Sequence, residues 1–400
     1  MARRKKRLQL GCDDGASSFK CIGSSGEELV TIVMSGCDDG ASSFKCIGSS
    51  GEELVTIVMS SAVIEQRSET LDRYRQQVGD LTTRSFVGVD GNYFAVGKLA
   101  TRLGATQPLK PLKSETIVYK ILGMVSMMAQ RLNLGTSFDL SLGCLLPPGE
   151  FRDRDRIQTA LTVALADFDT PIGVFNVRLI ECNFYPEGTG IAHLLQVDNR
   201  ESFGTAIILM AGHRNLSFYA SEFHQIVAVG TSDFGFNHWV KAVQAVTYNY
   251  DLPNLSSAIA NYWLKQKDIT HLEPILRNST EELRANELQA LVREIELAHD
   301  NYCTSIFDWL DEQLPNRIDE LMLAGGVGDV LQAELIEYFV EKLTPNPRYK
   351  DKYVIFNSST FKLPTLDVPD EYQSRMADVY CMWKYLMPQP KIIVKTNKSE

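Results

Sequence analysis

Residues 11–35 read GCDDGASSFKCIGSSGEELVTIVMS, and residues 36–60 repeat the same 25 letters without a difference. In each copy a glycine pair, Gly15 and Gly23 or Gly40 and Gly48, brackets Ala-Ser-Ser-Phe-Lys-Cys-Ile. Segments rich in Val, Ile and Met follow at 27–35 and 52–64. That pattern predicts a strand, a tight turn and a returning strand. A solenoid is excluded, since it needs about three or more stacked repeats. Identity at every position points to a recent or artificial duplication.

The chain is 400 residues long, more than one ordinary core, so two domains or lobes are expected. Apolar residues at 44% and charged residues at 22% suit a globular chain. A net charge of −10 argues against nucleic-acid binding through bulk charge, and no direct sequence-specific DNA contact is expected. The basic run Arg3-Arg4-Lys5-Lys6-Arg7 reads as a solvated tail, with a contact to DNA or an anionic membrane as the sharper alternative. Only Leu8-Gln9-Leu10-Gly11 separates it from Cys12, too little for a signal peptide or lipoprotein anchor. No apolar run reaches membrane-spanning length, so a cytoplasmic location without membrane contact is expected. Four of the eight cysteines come from the repeat, and Cys144, Cys182, Cys303 and Cys381 are scattered. Without C-x-x-C or H-E-x-x-H, zinc and disulfide frameworks are not expected.

Alternation predicts strands within 84–97, 138–146, 175–184 and 321–324. It also predicts a second hairpin, 205–210 and 216–219, around Gly212-His213-Arg214-Asn215, with 225–229 returning. Residues 114–132 predict a Met-rich helix, and 153–165 another. Ser279 with Glu282 forms the signature of a capping box. It opens a long helix whose apolar face runs through Leu288, Leu291, Val292, Ile295, Tyr302, Ile306, Trp309 and Leu310. Two motifs fail on inspection. Gly91 to Leu99 has five residues between its glycines and lacks the Ser/Thr of a P-loop. Gly188-Thr-Gly190-Ile-Ala-His193 has His193 where a dinucleotide fingerprint needs glycine. The chain is α/β, with two hairpin-containing halves and a late Gly-rich turn.

Seven segments, in order, resemble the actin superfamily, and most closely the plasmid-segregation actins of ParM/StbA type. They are CDDGASSFK, YFAVGKLA, GCLLPPGEF, YPEGTGIA, ILMAGHRNLSF, VGTSDFGFNHWV and LMLAGGVGDVL. Each is weak alone. Together they cover roughly residues 8–380. The resemblance implies an actin-like, ribonuclease H-like fold with mixed sheets, and a cleft between two lobes for ATP and Mg2+. It also implies self-assembly into filaments and a DNA-binding adaptor as partner. ATP hydrolysis, expected to be weak here, would make the chain an ATPase.

The resemblance also assigns roles to residues. Gly40, Ser42, Ser43 and Lys45, or Gly15, Ser17, Ser18 and Lys20, would hold phosphates through backbone N–H groups, hydroxyls and one positive charge. Asp38, or Asp13, would hold magnesium through a water. Glu187 matches the carboxylate that orients the attacking water. Gly212, His213, Arg214 and Asn215 occupy the second phosphate hairpin, and Gly325, Gly326 and Gly328 the turn beneath the nucleoside. Read alone, the Asp pair is a solvated turn, Glu187 a helix-start glutamate and the glycines a strand-to-helix turn.

One position departs from the family. Met210 stands where the second hairpin should begin with a metal-assisting Asp, so bound nucleotide with slow or altered hydrolysis is expected. Arg214 offers phosphate a bidentate donor instead. Copy two is expected to fill the first hairpin, because Ile32-Val33-Met34 precedes it and Ser61-Ala62-Val63 follows. Residues 1–35 would then be an extension, 36–204 with 345–400 lobe I, and 205–344 lobe II. Rival readings are a filament scaffold without useful turnover, a sugar kinase or chaperone of the same superfold, and a non-enzymatic adaptor.

Overall fold

The computed structural model describes residues 7–14, 19–25, 28–33, 46–48, 55–57, 59–105, 113–146, 148–197, 204–222, 225–247, 250–343, 354–357 and 377–382. Eleven strands make one sheet. In chain order they are β1 (Arg7–Asp14), β2 (Phe19–Ser25), β3 (Glu28–Val33), β4 (Cys46–Gly48), β5 (Val55–Ile57), β6 (Val63–Gln66), β7 (Phe86–Val89), β8 (Asn92–Val96), β9 (Ser137–Leu146), β10 (Phe168–Thr170) and β11 (Gly173–Pro186). They lie in the order β4-β5-β3-β2-β1-β9-β11-β10-β7-β8-β6. A second sheet holds β12 (Thr205–Ala211), β13 (Leu216–Glu222), β14 (Gln225–Ser232), β15 (Glu320–Ala324) and β16 (Val354–Asn357), in the order β14-β13-β12-β15-β16.

The helices are α1 (Ser68–Arg75), α2 (Lys98–Arg102), α3 (Lys113–Arg131), α4 (Arg154–Ala166), α5 (Thr189–Val197), α6 (Phe236–Val246), α7 (Leu252–Leu264), α8 (Glu281–Gln313), α9 (Gly326–Val330), α10 (Gln332–Val340) and α11 (Ala377–Cys381).

Both sheets are built on one plan. In the first, β3, β2 and β1 form an antiparallel meander, and β9 and β11 continue parallel to β1. In the second, β14, β13 and β12 form the meander, and β15 and β16 continue parallel to β12. The two leading hairpins are equivalent in length. Asp14 pairs with Phe19 to close one loop, and Ala211 pairs with Leu216 to close the other. Met210 therefore stands where Asp13 stands in the first sheet.

Each plan buries a large apolar face against helices. Alternate residues of β9, namely Leu140, Leu142, Cys144 and Leu146, are buried with Ile117, Ile121, Met124, Val125 and Met128 of α3. The period-two and near-3.6 spacings meet here, as the Met-rich pattern predicted. In the second half, Leu291, Ile295, Tyr302, Ile306 and Leu310 of α8 share a core with Ile207 and Leu209 of β12 and Phe218 of β13. Each buried side chain of this size contributes about 1.5–3 kcal/mol.

Three expectations are corrected. First, the strand beside β9 comes from copy one, not copy two. Residues 7–14, 19–25 and 28–33 are part of the first sheet rather than an extension. The reason is pleat alternation. Register pairs Leu8 and Leu10 with Leu140 and Leu142, and Arg7 with Asp139. Copy two is led by Ile32-Val33-Met34-Ser35. In that register Ser35 would stand beside buried Leu142 and Ile32 beside Asp139. Second, β16 adds to the second sheet, because β15 has an open edge for parallel pairing. Residues 354–357 thus group with the lobe II strands. Third, Thr280 rather than Ser279 caps α8, without a side-chain bond. Buried Glu287 holds that end instead, accepting from the N–H groups of Arg277 and Asn278 at 3.0 Å each and from the Tyr250 hydroxyl at 2.5 Å.

Candidate functional site

Parallel strands deliver their carboxyl ends to one edge, the usual place for a ligand in open α/β sheets. In the first sheet Asp13, next to last in β1, stands opposite Leu145 of β9 and Lys20 of β2. Glu187 follows β11 at the same edge, and its N–H donates to the Leu146 carbonyl at 2.8 Å. Topology thus places Asp13, Lys20 and Glu187 at one sheet edge. Gly15, Ser17, Ser18, Asp38, Gly40, Ser42, Ser43 and Lys45 lie outside the described residues.

In the second sheet the hairpin turn is held by backbone bonds. Gly212 N–H donates to the Asn215 carbonyl at 2.9 Å. The start of α6 then clamps the loop: Phe236 N–H donates to the Gly212 carbonyl at 3.2 Å and Asn237 N–H to the His213 carbonyl at 2.8 Å. Gly235 has to be glycine here, because a Cβ would lie 2.1 Å from the Arg214 carbonyl carbon. This is the G-x-S-x-x-G element of the sequence, and its last glycine allows helix and hairpin to touch.

The hairpin side chains divide in role. His213 is buried, and burial, with Lys241 nearby, lowers its imidazole to about 4. It is neutral at physiological pH, so Arg214 is the cation of this loop. His213 Nδ1, Asn215 Oδ1 and Asn237 Oδ1 are buried without a hydrogen-bond partner among the described residues. Buried polar atoms are rarely left unpaired, and the two amide oxygens, being acceptors, suit a hydrogen-bond donor such as a water or a ligand hydroxyl rather than a phosphate oxygen.

Gly325 joins the second hairpin to the late glycine turn. Its φ is +87°, and a Cβ there would lie 2.3 Å from the Ala211 carbonyl oxygen. The chain must therefore pass flush against the end of β12. Gly328 differs, since the nearest atom to its Cβ position is Leu323 Cβ at 4.0 Å. Gly326 is buried at the start of α9. Of these three glycines, Gly325 is the one shown to be sterically obligatory.

The two strand edges meet at the Glu187-Gly188 loop. Gly188 has φ +92°, and its Cβ position lies 3.5 Å from Met210 Cγ and from the Tyr219 ring. Met210 is buried in a small cluster with Ile191, Ile208, Tyr219, Met322, Ala324 and Ala377. Burial pushes the Tyr219 phenol up, and the nearby carboxylates of Asp378 and Glu187 push the same way. The position expected to carry a metal-assisting Asp is thus an apolar contact against the loop that carries Glu187.

Sequence reasoning missed Asp378. Its buried carboxylate accepts from Gly188 N–H at 2.6 Å and from Ile191 N–H at 3.2 Å, capping α5 from α11. Gly190 permits this approach, since a Cβ would lie 2.1 Å from the Asp378 carbonyl oxygen. The available signal was the Gly188-x-Gly190 pair. Its meaning is close helix packing rather than dinucleotide binding.

No family model matches the sequence, and no curated protein does. Solved structures do match the fold. The actin-like protein Alp7A matches with a TM-score of 0.58 at 12% identity, covering 94% of this chain and 95% of that one. A ParM from a 15-stranded Clostridium botulinum filament matches at 0.54 and 13% identity, covering 83% and 92%. Apo pSK41 ParM matches at 0.51 and 11% identity, covering 95% and 98%. With two sheets on one plan and nearly full coverage of these proteins, the chain has an actin-like fold of the ParM type.

Proposed function

We propose that this chain binds ATP with magnesium at the joined strand edges and polymerises into filaments. The observation that carries the reading is the equivalence of its two hairpins. Each closes a four-residue turn at the carboxyl edge of a like sheet, with Glu187 at the junction. The fold it shares with a filament-forming ParM supports the second half. In this reading the filaments move plasmid or other DNA in the cytoplasm through an adaptor. No helix among the described residues is long and apolar enough to cross a membrane.

The hairpin backbone, Lys20 and Arg214 would hold the phosphates, and Asp13 would hold magnesium. Magnesium, when bound, neutralises charge on the phosphate oxygens. Glu187 orients a water and takes its proton. Met210 offers neither function, so turnover is slow and the filament is long-lived. The scaffold reading, a filament with little or no hydrolysis, is favoured by the same packed Met210.

High-speed sedimentation with Mg-ATP, with Mg-ADP and without nucleotide tests the reading. Pelleting only with Mg-ATP is expected, and equal pelleting in all three would replace it with nonspecific aggregation. Nucleotide binding without pelleting would remove the filament half.

A further inference from the structure

We propose that the β1–β2–β3 position of the first sheet is interchangeable between the two copies of the repeat, so that the chain has two folded isomers. In one, residues 11–33 occupy the position beside β9. In the other, residues 36–58 do.

The spare copy begins with the same pair and then shifts by one residue, Ile47 standing on Val55 where Ile22 stands on Thr31. In copy one, Cys21 pairs with Ile32 across β2 and β3. In copy two, Cys46 pairs with Ile57 across β4 and β5, the same two letters of the repeat. Copy two also lies directly alongside copy one. β5 runs parallel to β3 with Val30 on Val55, Thr31 on Thr56 and Ile32 on Ile57, each residue against its own duplicate. Pairing energy within the 25 repeated positions cannot distinguish the copies, because the side chains are identical.

The chain after the repeat is anchored whichever copy is used. Met59 is fully buried and fills the space above Gly97, where a Cβ would lie 2.4 Å from Met59 Cγ. Ser60, Ser61 and Ala62 are buried behind it. Copy two can run straight into this anchor, whereas copy one reaches it only through residues 34–58. Opposing this is the segment ahead of each copy. Leu8 and Leu10 match Leu140 and Leu142, and Val33 and Ser35 match them less well. The equilibrium is set by these few residues, and register elsewhere is degenerate.

Proline in the middle strand separates the isomers, because it removes a ladder bond and is not tolerated in a central strand. Ile22→Pro disables copy one, and Ile47→Pro disables copy two. Folding is read by thermal unfolding. Occupancy is read by pulsed thiol alkylation of Cys12 and Cys37, which fall on different tryptic peptides because Lys20 lies between them. In the full chain, Ile22→Pro should keep a cooperative transition, and slow labelling should move from Cys12 to Cys37. Ile47→Pro should leave Cys12 the slow site. A chain lacking residues 36–60 should unfold when it carries Ile22→Pro. The double proline variant should do the same. If Ile22→Pro unfolds the full chain as completely as the single-copy chain, or leaves Cys12 the slow site, the interchange does not exist. None of these readouts uses nucleotide, so the result is independent of the proposed activity.

Discussion

The carboxylate of Asp378 accepts the N–H of Gly188 at 2.6 Å, across 190 positions of sequence. With the Ile191 bond it caps α5 and ties the Glu187 loop to α11. Two donors at a buried helix start would otherwise lack a partner. Asp378→Ala should lower unfolding stability by about 3 kcal/mol, and Asp378→Asn by about 1 kcal/mol because one acceptor remains. Urea unfolding midpoints measure both. Equal losses for the two variants would show that the cap is not what holds the crossing.

Met210→Asp places a carboxylate among Ile191, Ile208, Tyr219 and Met322. Burial of the new charge should cost about 2–3 kcal/mol without nucleotide. If slow turnover comes from the missing carboxylate, phosphate release should rise by up to about 100-fold. A folded variant with unchanged release would remove that explanation.

Glu187→Gln keeps the shape of the loop and removes the base. Phosphate release should fall about 100-fold while Mg-ATP-dependent pelleting persists. Loss of pelteting-competent protein together with normal nucleotide binding would instead assign Glu187 to assembly.

Gly325→Ala must fit a methyl group 2.3 Å from the Ala211 carbonyl oxygen at a φ of +87°. Strain and displacement of the β12 end should cost about 3 kcal/mol. Gly328→Ala, whose methyl group would meet Leu323 Cβ at 4.0 Å in ordinary contact, should be nearly neutral. Calorimetric melting of both variants checks the contrast.

Acid should destabilise the fold in two stages. Burial, with Lys241, depresses His213 from 6.5 to about 4. Burial pushes the Glu287 carboxyl up, but bonds from Tyr250, Arg277 and Asn278 outweigh it and lower the group from 4.5 to about 2. Both folded values lie below the unfolded ones. Each contribution is therefore complete above the unfolded value and is lost as pH falls toward the folded one. The windows run from 6.5 to 4 for His213 and from 4.5 to 2 for Glu287. Glu287→Gln should flatten the lower window in a urea-midpoint profile against pH, and His213→Gln the upper.

Elements whose residues are periodic and local were legible in the sequence. The α3 helix, β9, both arms of the second hairpin and the strand before Gly325 follow from apolar spacing and turn residues alone. The family resemblance marked Met210 as the departing position, and the sheet registers place it where Asp13 stands in the first sheet. What tertiary structure decided is non-local. Asp378 and Glu287 look like ordinary surface carboxylates until packing surrounds them with N–H donors. The choice between two identical hairpins could not come from the hairpins themselves. It came from the strand they must join, where alternation of Leu140 and Leu142 in β9 selects Leu8 and Leu10 ahead of copy one. A local sequence sets what a segment can form, but which segment forms it depends on the partner that completes its hydrogen bonds and buries its face.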